Sequence, residues 1–153
     1  MASTVPLRGR TRRTREQAGG DSHGVAPGKT NTPAILRLLA SGMKWGQVGQ
    51  FLDQSGLTTR QLASFLELPE RTFARRRESG RLLKPESERM LRLMEIFSSL
   101  LELFDGDTAA AREWLIEPAE GLGQARPIDY AQTDFGGREV RNLIGRLEHG
   151  VFS

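Results

Sequence analysis

The chain has 153 residues, 37% hydrophobic and 27% charged, with no cysteine, two histidines and a formal net charge of +3. That length allows one ordinary domain or two very small ones, and it excludes a large multidomain enzyme. Without cysteine there are no disulfide frameworks, thiolate zinc sites or cysteine nucleophiles, and with only His23 and His149, histidine-rich metal sites and most triad chemistries are poorly served.

Charge is unevenly placed along the chain. Residues 1–30 carry 6 Lys/Arg against 2 acids, 31–57 carry 2 against 1, 58–85 carry 7 against 3, and 86–153 carry 7 against 13. A basic front half beside an acidic back half points to an anion-seeking part, with nucleic acid the obvious partner, and a separate part with another task. The first 20 residues mix five arginines with polar residues and lack the apolar stretch of a secretory signal. The most apolar run, Met90 to Phe104, is broken by Arg92, Glu95 and Glu102 and is too short to cross a bilayer. No membrane partner and a cytoplasmic location are the expectation.

Residues 1–31 hold almost no large apolar side chains, so burial cannot offset the entropy of ordering, and they read as a disordered basic tail. The tail is either a solvated leader or an arm that grazes phosphates. Thr32-Pro33 then reads as an N-cap and first helical residue of a short helix through Ile35, Leu36, Leu38 and Leu39. A second helix from about Lys44 to Gln54 presents Trp45, Val48, Phe51 and Leu52 at helical spacing as core, and Gly56 closes it.

From Leu57 to Gly80 the chain reads LTTRQLASFLELPERTFARRRESG. Thr58 and Gln61 fit a capping box that starts a helix with Leu62, Ala63 and Leu66 on one face. Glu67-Leu68-Pro69 breaks it, and a second helix runs from Glu70 through Phe73 and three arginines to Ser79-Gly80. This is a helix-turn-helix layout, with residues 32–84 as the DNA-binding region. With Phe73 turned to the core, Arg71 and Arg75 lie about 160° away on the outward face and Thr72 about 100° away, on a flank. Arg71 and Arg75 are therefore the base-edge candidates, since arginine bridges the two acceptors of guanine. Arg76, Arg77, Arg81 and Lys84 suit phosphates, Arg76 and Arg77 by snorkelling outward. The turn in this motif often carries glycine where Glu67 stands.

Pro85 is expected to start a long connecting helix, residues 85–104, with two apolar stripes. So much apolar surface is expected to serve both as the centre of a bundle and as a homodimer interface, with Met90, Met94, Phe97 and Leu101 of one stripe as the dimer contacts. Asp107 caps a helix containing Arg112, Trp114 and Leu115. Glu117 to Gln132 reads as loop, and Thr133 caps a last helix with Phe135, Val140, Leu143, Ile144 and Leu147 on its inner side, ended by Gly150. Gly136 and Gly137 read as close-packing positions rather than a phosphate cradle. His149 suits a helix-end cap, and acid pairs such as Asp129 with Asp134 or Glu139 form no catalytic constellation.

The run AAAREWLIEPAEGLGQARPIDYAQTDFGGREVRNLIGRLEHGVFS, Ala109 to Ser153, resembles the toxin-binding domain of the Xre/MbcA/ParS antitoxins. RTFARRR and LLKPESERMLRL resemble the Xre-like front part of the same family, so the likeness covers about residues 43–153. The resemblance implies an all-α fold, an Xre-like helix-turn-helix module followed by a small helical toxin-binding domain at residues 105–153. It implies a dimeric antitoxin of a type II toxin-antitoxin system, which binds a RES-domain toxin that consumes or uses NAD and represses its own operon through operator DNA. Arg71, Thr72, Arg75 and Arg76 then correspond to the DNA-reading helix, and Arg146, His149, Gly150, Val151, Phe152 and Ser153 to toxin contacts, with the tail Gly150 to Ser153 near the toxin's NAD cleft. The acidic back half would complement a basic toxin cleft. No cofactor and no catalytic residue are expected in the chain itself. A plain regulator without a toxin, and more remotely a small NAD-linked enzyme, are the competing readings.

Overall fold

The computed structural model describes residues 32–150; the basic tail at 1–31 and the terminal Val151, Phe152 and Ser153 lie outside the described residues. Eight α-helices follow in order: α1 Thr32–Ser41, α2 Trp45–Ser55, α3 Thr59–Phe65, α4 Glu70–Ser79, α5 Lys84–Leu103, α6 Thr108–Ile116, α7 Pro127–Tyr130 and α8 Asp134–Glu148, with a 3-10 turn at Glu120–Leu122. No β-strand occurs among the described residues, so the fold is all-α.

Local signals set most boundaries. The Thr58 hydroxyl accepts from the Gln61 N–H at 3.0 Å while the Gln61 side chain accepts from the Thr58 N–H at 2.9 Å, a complete capping box. Asp107 accepts from the Ala110 N–H at 3.1 Å, and Thr133 from the Gly136 N–H at 3.0 Å. Gly56 and Gly80, both left-handed, end α2 and α4. The stretch 117–132 is more ordered than a loop. Ala119 and Ala125 pair across a tight turn that buries Leu122, and Pro127 starts α7.

The α5 helix is the centre of the molecule, packed by α1, α2, α6 and α8. Four neighbours account for its two apolar stripes: Met90, Leu93, Ile96, Phe97 and Leu100 are all buried within the chain. This corrects the expected dimer surface. Met90 and Phe97 belong to the core and cannot meet a second copy, and Phe97 meets Phe51 of α2 edge-to-face at 5.6 Å. Met94 and Leu101 are only half-buried and pack on the same core.

The two halves share this core and are laced by polar contacts. Arg112 of α6 reaches the Ser55 carbonyl at 3.4 Å, where its guanidinium occupies the space a side chain on Gly56 would need. Gln132 donates to the Ser64 carbonyl at 3.1 Å. Arg92 of α5 donates to the Ala131 and Gln132 carbonyls at 3.3 and 3.0 Å, satisfying the end of α7, and pairs with Asp134. Gly136 and Gly137 are close-packing residues as expected: a β-carbon at 136 would lie 1.7 Å from the Tyr130 carbonyl oxygen, and one at 137 would lie 2.6 Å from Arg92 Cδ.

One inward assignment fails. Phe135, on the first turn of α8, is 62% exposed, because the buried side of that helix starts one residue later at Gly136.

Candidate nucleic-acid interface and partner-binding domain

The helices α3 and α4 are joined by the tight turn the sequence predicts. Leu68 N–H donates to the Ala63 carbonyl at 2.9 Å and Glu67 N–H to the Ser64 carbonyl at 3.0 Å, a Schellman arrangement with Glu67 in the left-handed position at φ 56°. The residue that replaces the usual glycine thus adopts glycine's conformation. Its carboxylate pairs with Arg89 at 3.1 Å, and Arg89 also donates to the Leu66 carbonyl at 3.1 Å, so α5 clamps the turn.

Phe73 anchors α4 in the core and meets Trp45 edge-to-face at 5.0 Å. Burying a phenylalanine side chain contributes about 2 kcal/mol. With that face inward, Arg71 and Arg75 are exposed and Thr72 is half-buried on the flank, as the helical wheel requires. Neither arginine, nor the exposed Lys84 at the start of α5, has an ion-pair partner among the described residues. Three outward cations on or beside one short helix form a surface that can take phosphates and guanine edges.

The remaining arginines of the segment behave differently. Arg76 does not snorkel outward. Its Nε donates to both oxygens of Glu86, at 2.8 and 3.0 Å, and the two side chains are only 14% and 7% exposed. The hydrogen bond that Arg76 donates to Glu86 holds the Arg76 pKa above its ordinary value, outweighing desolvation. Arg76 is therefore a tie between α4 and α5 and is unavailable to phosphate. Arg77 is exposed and lies over the Trp45 ring at 5.7 Å. Arg81 donates to the Ser41 and Gly42 carbonyls at 3.3 and 3.2 Å, which commits it to the end of α1. Arg60 has no sequence signature beyond being basic in the first turn of α3, yet it is among the most exposed cations, only loosely paired with Glu70 at 3.7 Å. The first helix of this motif crosses the phosphate backbone, which was the available signal.

In the second domain Leu115, Pro127, Ile128 and Val140 are buried and Trp114 is half-buried, so these are fold-defining residues. Arg146 and His149 line a shallow depression at the end of α8 together with Arg141, Asn142 and Gly145. Gly150, with φ 67°, turns the chain off the helix beyond them. The other tail positions assigned to toxin contact, Val151, Phe152 and Ser153, lie outside the described residues. Asp129 pairs with Arg126 at 2.7 Å, and among the described residues no group of three His, Asp or Glu is placed to hold a metal ion. No helix among them is long and apolar enough to cross a membrane.

A helix-turn-helix with an outward basic reading helix, joined through one long helix to a second small helical domain, defines a two-domain protein of the Xre-like DNA-binding class. Residues 34–95 match the family described as antitoxin Xre-like helix-turn-helix domain, and residues 99–150 match the antitoxin Xre/MbcA/ParS C-terminal toxin-binding domain. The chain is 37% identical over 122 residues to "Antitoxin Xre" of Photorhabdus laumondii subsp. laumondii, covering 79% of this chain and 82% of that protein. It is also 44% identical over 87 residues to "Antitoxin Xre" of Yersinia enterocolitica, spanning 56% of this chain and 59% of that relative's length. The chain belongs to the Xre antitoxin family.

Proposed function

We propose that the chain is the antitoxin of a toxin-antitoxin pair, neutralising a RES-domain, NAD-consuming toxin through residues 105–153 and repressing its own operon through the helix-turn-helix. The observation that carries this reading is the co-occurrence, in one chain, of an Xre-like reading helix with unpaired outward arginines and a C-terminal toxin-binding domain. The mechanism is occlusion: Arg146, His149 and the segment Gly150, Val151, Phe152 and Ser153 cover the toxin's active site, and no chemistry takes place on the antitoxin. On DNA, Arg71 and Arg75 read base edges, Thr72 supports them from the flank, and Arg77, Lys84 and Arg60 contact phosphates. The protein acts in the cytoplasm. It works as a homodimer, because motifs of this type read two half-sites. With the α5 stripe buried, the exposed Leu36 of α1 and Leu83 at the head of α5 offer apolar surface for that contact.

Co-purification of the tagged full chain with the product of the neighbouring reading frame, beside a version ending at Leu147, tests the reading. Capture by the full chain and loss on truncation are expected. Failure of both to capture a partner, with promoter DNA still shifted, would reduce the protein to a plain transcriptional regulator.

A further inference from the structure

The two domains meet along one side of α3. Gln132 donates to the Ser64 carbonyl at 3.1 Å, and Arg92 holds the Ala131 and Gln132 carbonyls, so α7 is fixed beside the first helix of the helix-turn-helix. Between them lies a cleft of about 210 Å³, based on Phe65, Ile116 and Ile128 and bordered by Arg60 of α3 and by Arg126 and Asp129 of the second domain.

Arg60 fixes the side of the molecule on which this cleft lies. Its side chain is 87% exposed and comes within 3.7 Å of Glu70, the first residue of the reading helix. In this motif the first helix crosses the backbone while the second enters the major groove, so Arg60 faces a phosphate strand. Arg126, across the same small cleft, carries the positive surface from the helix-turn-helix onto the second domain. Duplex DNA presents a charge about every 1.7 Å of its axis, so a cation beside an anchored one has a phosphate to meet.

Residues 105–153 carry nine acids against five arginines, a balance that DNA repels. Arg112 is committed to the Ser55 carbonyl and Arg141 to Glu95, and Arg138 and Arg146 belong to α8, which leaves Arg126 to border the cleft with α3. Arg126 pairs with Asp129 at 2.7 Å, but the two side chains are 52% and 44% exposed, so solvent and salt screen the pair and it contributes little to stability. A phosphate can therefore take the guanidinium without breaking anything that holds the fold.

We propose that Arg126 is a phosphate contact supplied by the second domain, and that it exchanges Asp129 for the DNA backbone when the helix-turn-helix is seated. The proposal deepens the DNA-binding reading and rests on it. Asp129 is then a brake on DNA binding, because it competes for Arg126 and repels the strand.

The test measures the affinity of the full chain for operator and random duplexes from low to high salt, with thermal melting as the check on folding. Arg126→Gln is expected to lose about 5- to 10-fold on both duplexes near 0.1 M salt and to lower the salt slope by about one, with the melting temperature kept. Arg126→Lys is expected to keep the slope, since a point charge serves a phosphate. Asp129→Asn is expected to bind both duplexes about 2- to 5-fold more tightly. Unchanged DNA affinity in Arg126→Gln, with Arg60→Gln weakened, would overturn the contact and leave the helix-turn-helix reading intact. A loss confined to the operator would make Arg126 a base reader and also overturn it. Lower melting temperatures together with weaker DNA binding in both Arg126→Gln and Asp129→Asn would reduce the pair to a prop for α7. Loss of the co-purifying toxin from Arg126→Gln, with DNA affinity kept, would give the residue to the toxin. Absence of DNA binding by the wild-type chain would remove the reading and the proposal together.

Discussion

The Arg76 guanidinium grips the Glu86 carboxylate at two points, and one of those oxygens also accepts from the Leu83 N–H at 2.8 Å. One carboxylate thus satisfies the start of α5 and ties it to the last turn of α4, so the reading helix is positioned by the helix that organises the rest of the protein. Removing one member of a buried pair leaves the other charge uncompensated, which costs about 3 kcal/mol. Arg76→Ala is expected to lower the unfolding free energy by that amount, seen as a lower urea midpoint at unchanged slope, while the folded protein keeps its preference for operator over random DNA. An unchanged midpoint with weakened DNA binding would return Arg76 to the phosphate-contacting set. Because its pKa is raised, the contribution of Arg76 is fully present below the ordinary arginine range and is lost only as pH rises through strong alkali.

At the turn, Glu67 holds a left-handed conformation that costs a non-glycine residue about 1 kcal/mol. Its partly exposed pair with Arg89 offsets at most about 1 kcal/mol. Glu67→Gly relieves the strain and loses the pair, whereas Glu67→Ala loses the pair and keeps the strain. The glycine variant is expected to be the more stable of the two by roughly 1 kcal/mol in thermal unfolding. The reverse order would show that the left-handed backbone at position 67 carries no strain for a residue with a side chain.

The adjacent glycines of α8 should respond unequally to the same change. Gly136→Ala pushes a methyl into the Tyr130 carbonyl, which is backbone and cannot step aside, and is expected to cost about 3 kcal/mol. Gly137→Ala meets the flexible stem of Arg92 and is expected to cost about 1 kcal/mol. Calorimetric melting of both variants checks the ordering, and equal losses would contradict the assigned contacts.

On DNA, Arg75→Ala is expected to cost about 1 to 3 kcal/mol at one base pair of the operator and to relax specificity there. Lys84→Ala is expected to weaken operator and random duplexes alike and to reduce the salt dependence by about one counterion. Titrations of both duplexes at several salt concentrations separate the two, and equal losses on both duplexes for Arg75→Ala would remove its base-reading role.

Phe135→Ala is expected to change stability by less than about 0.5 kcal/mol, because most of the ring is already in water. Ile144→Ala, on the buried side of the same helix, is expected to cost about 3 kcal/mol. Comparable losses would place Phe135 in the core after all.

The sequence by itself determined seven of the eight helices, most of their caps and the motif, while α7, in the stretch that reads as loop, came only with the structure. The Thr58–Gln61 box, Asp107, Thr133, Gly56 and Gly80 act within a few residues of themselves, so local chemistry specified them wherever the chain went. The outward placement of Arg71 and Arg75 was equally legible, because once Phe73 is buried the helical period fixes the opposite face. What only the tertiary structure decided was the use of residues whose partners are distant in sequence or whose burial depends on how many helices surround them. Arg76 was claimed by Glu86, Arg81 by the end of α1, and Arg92 by α7 and Asp134. Met90 and Phe97 were enclosed because four helices, not two, surround α5. Phe135 fell on the open side of α8. A helical period fixes which residues share a face, and only packing fixes what that face meets.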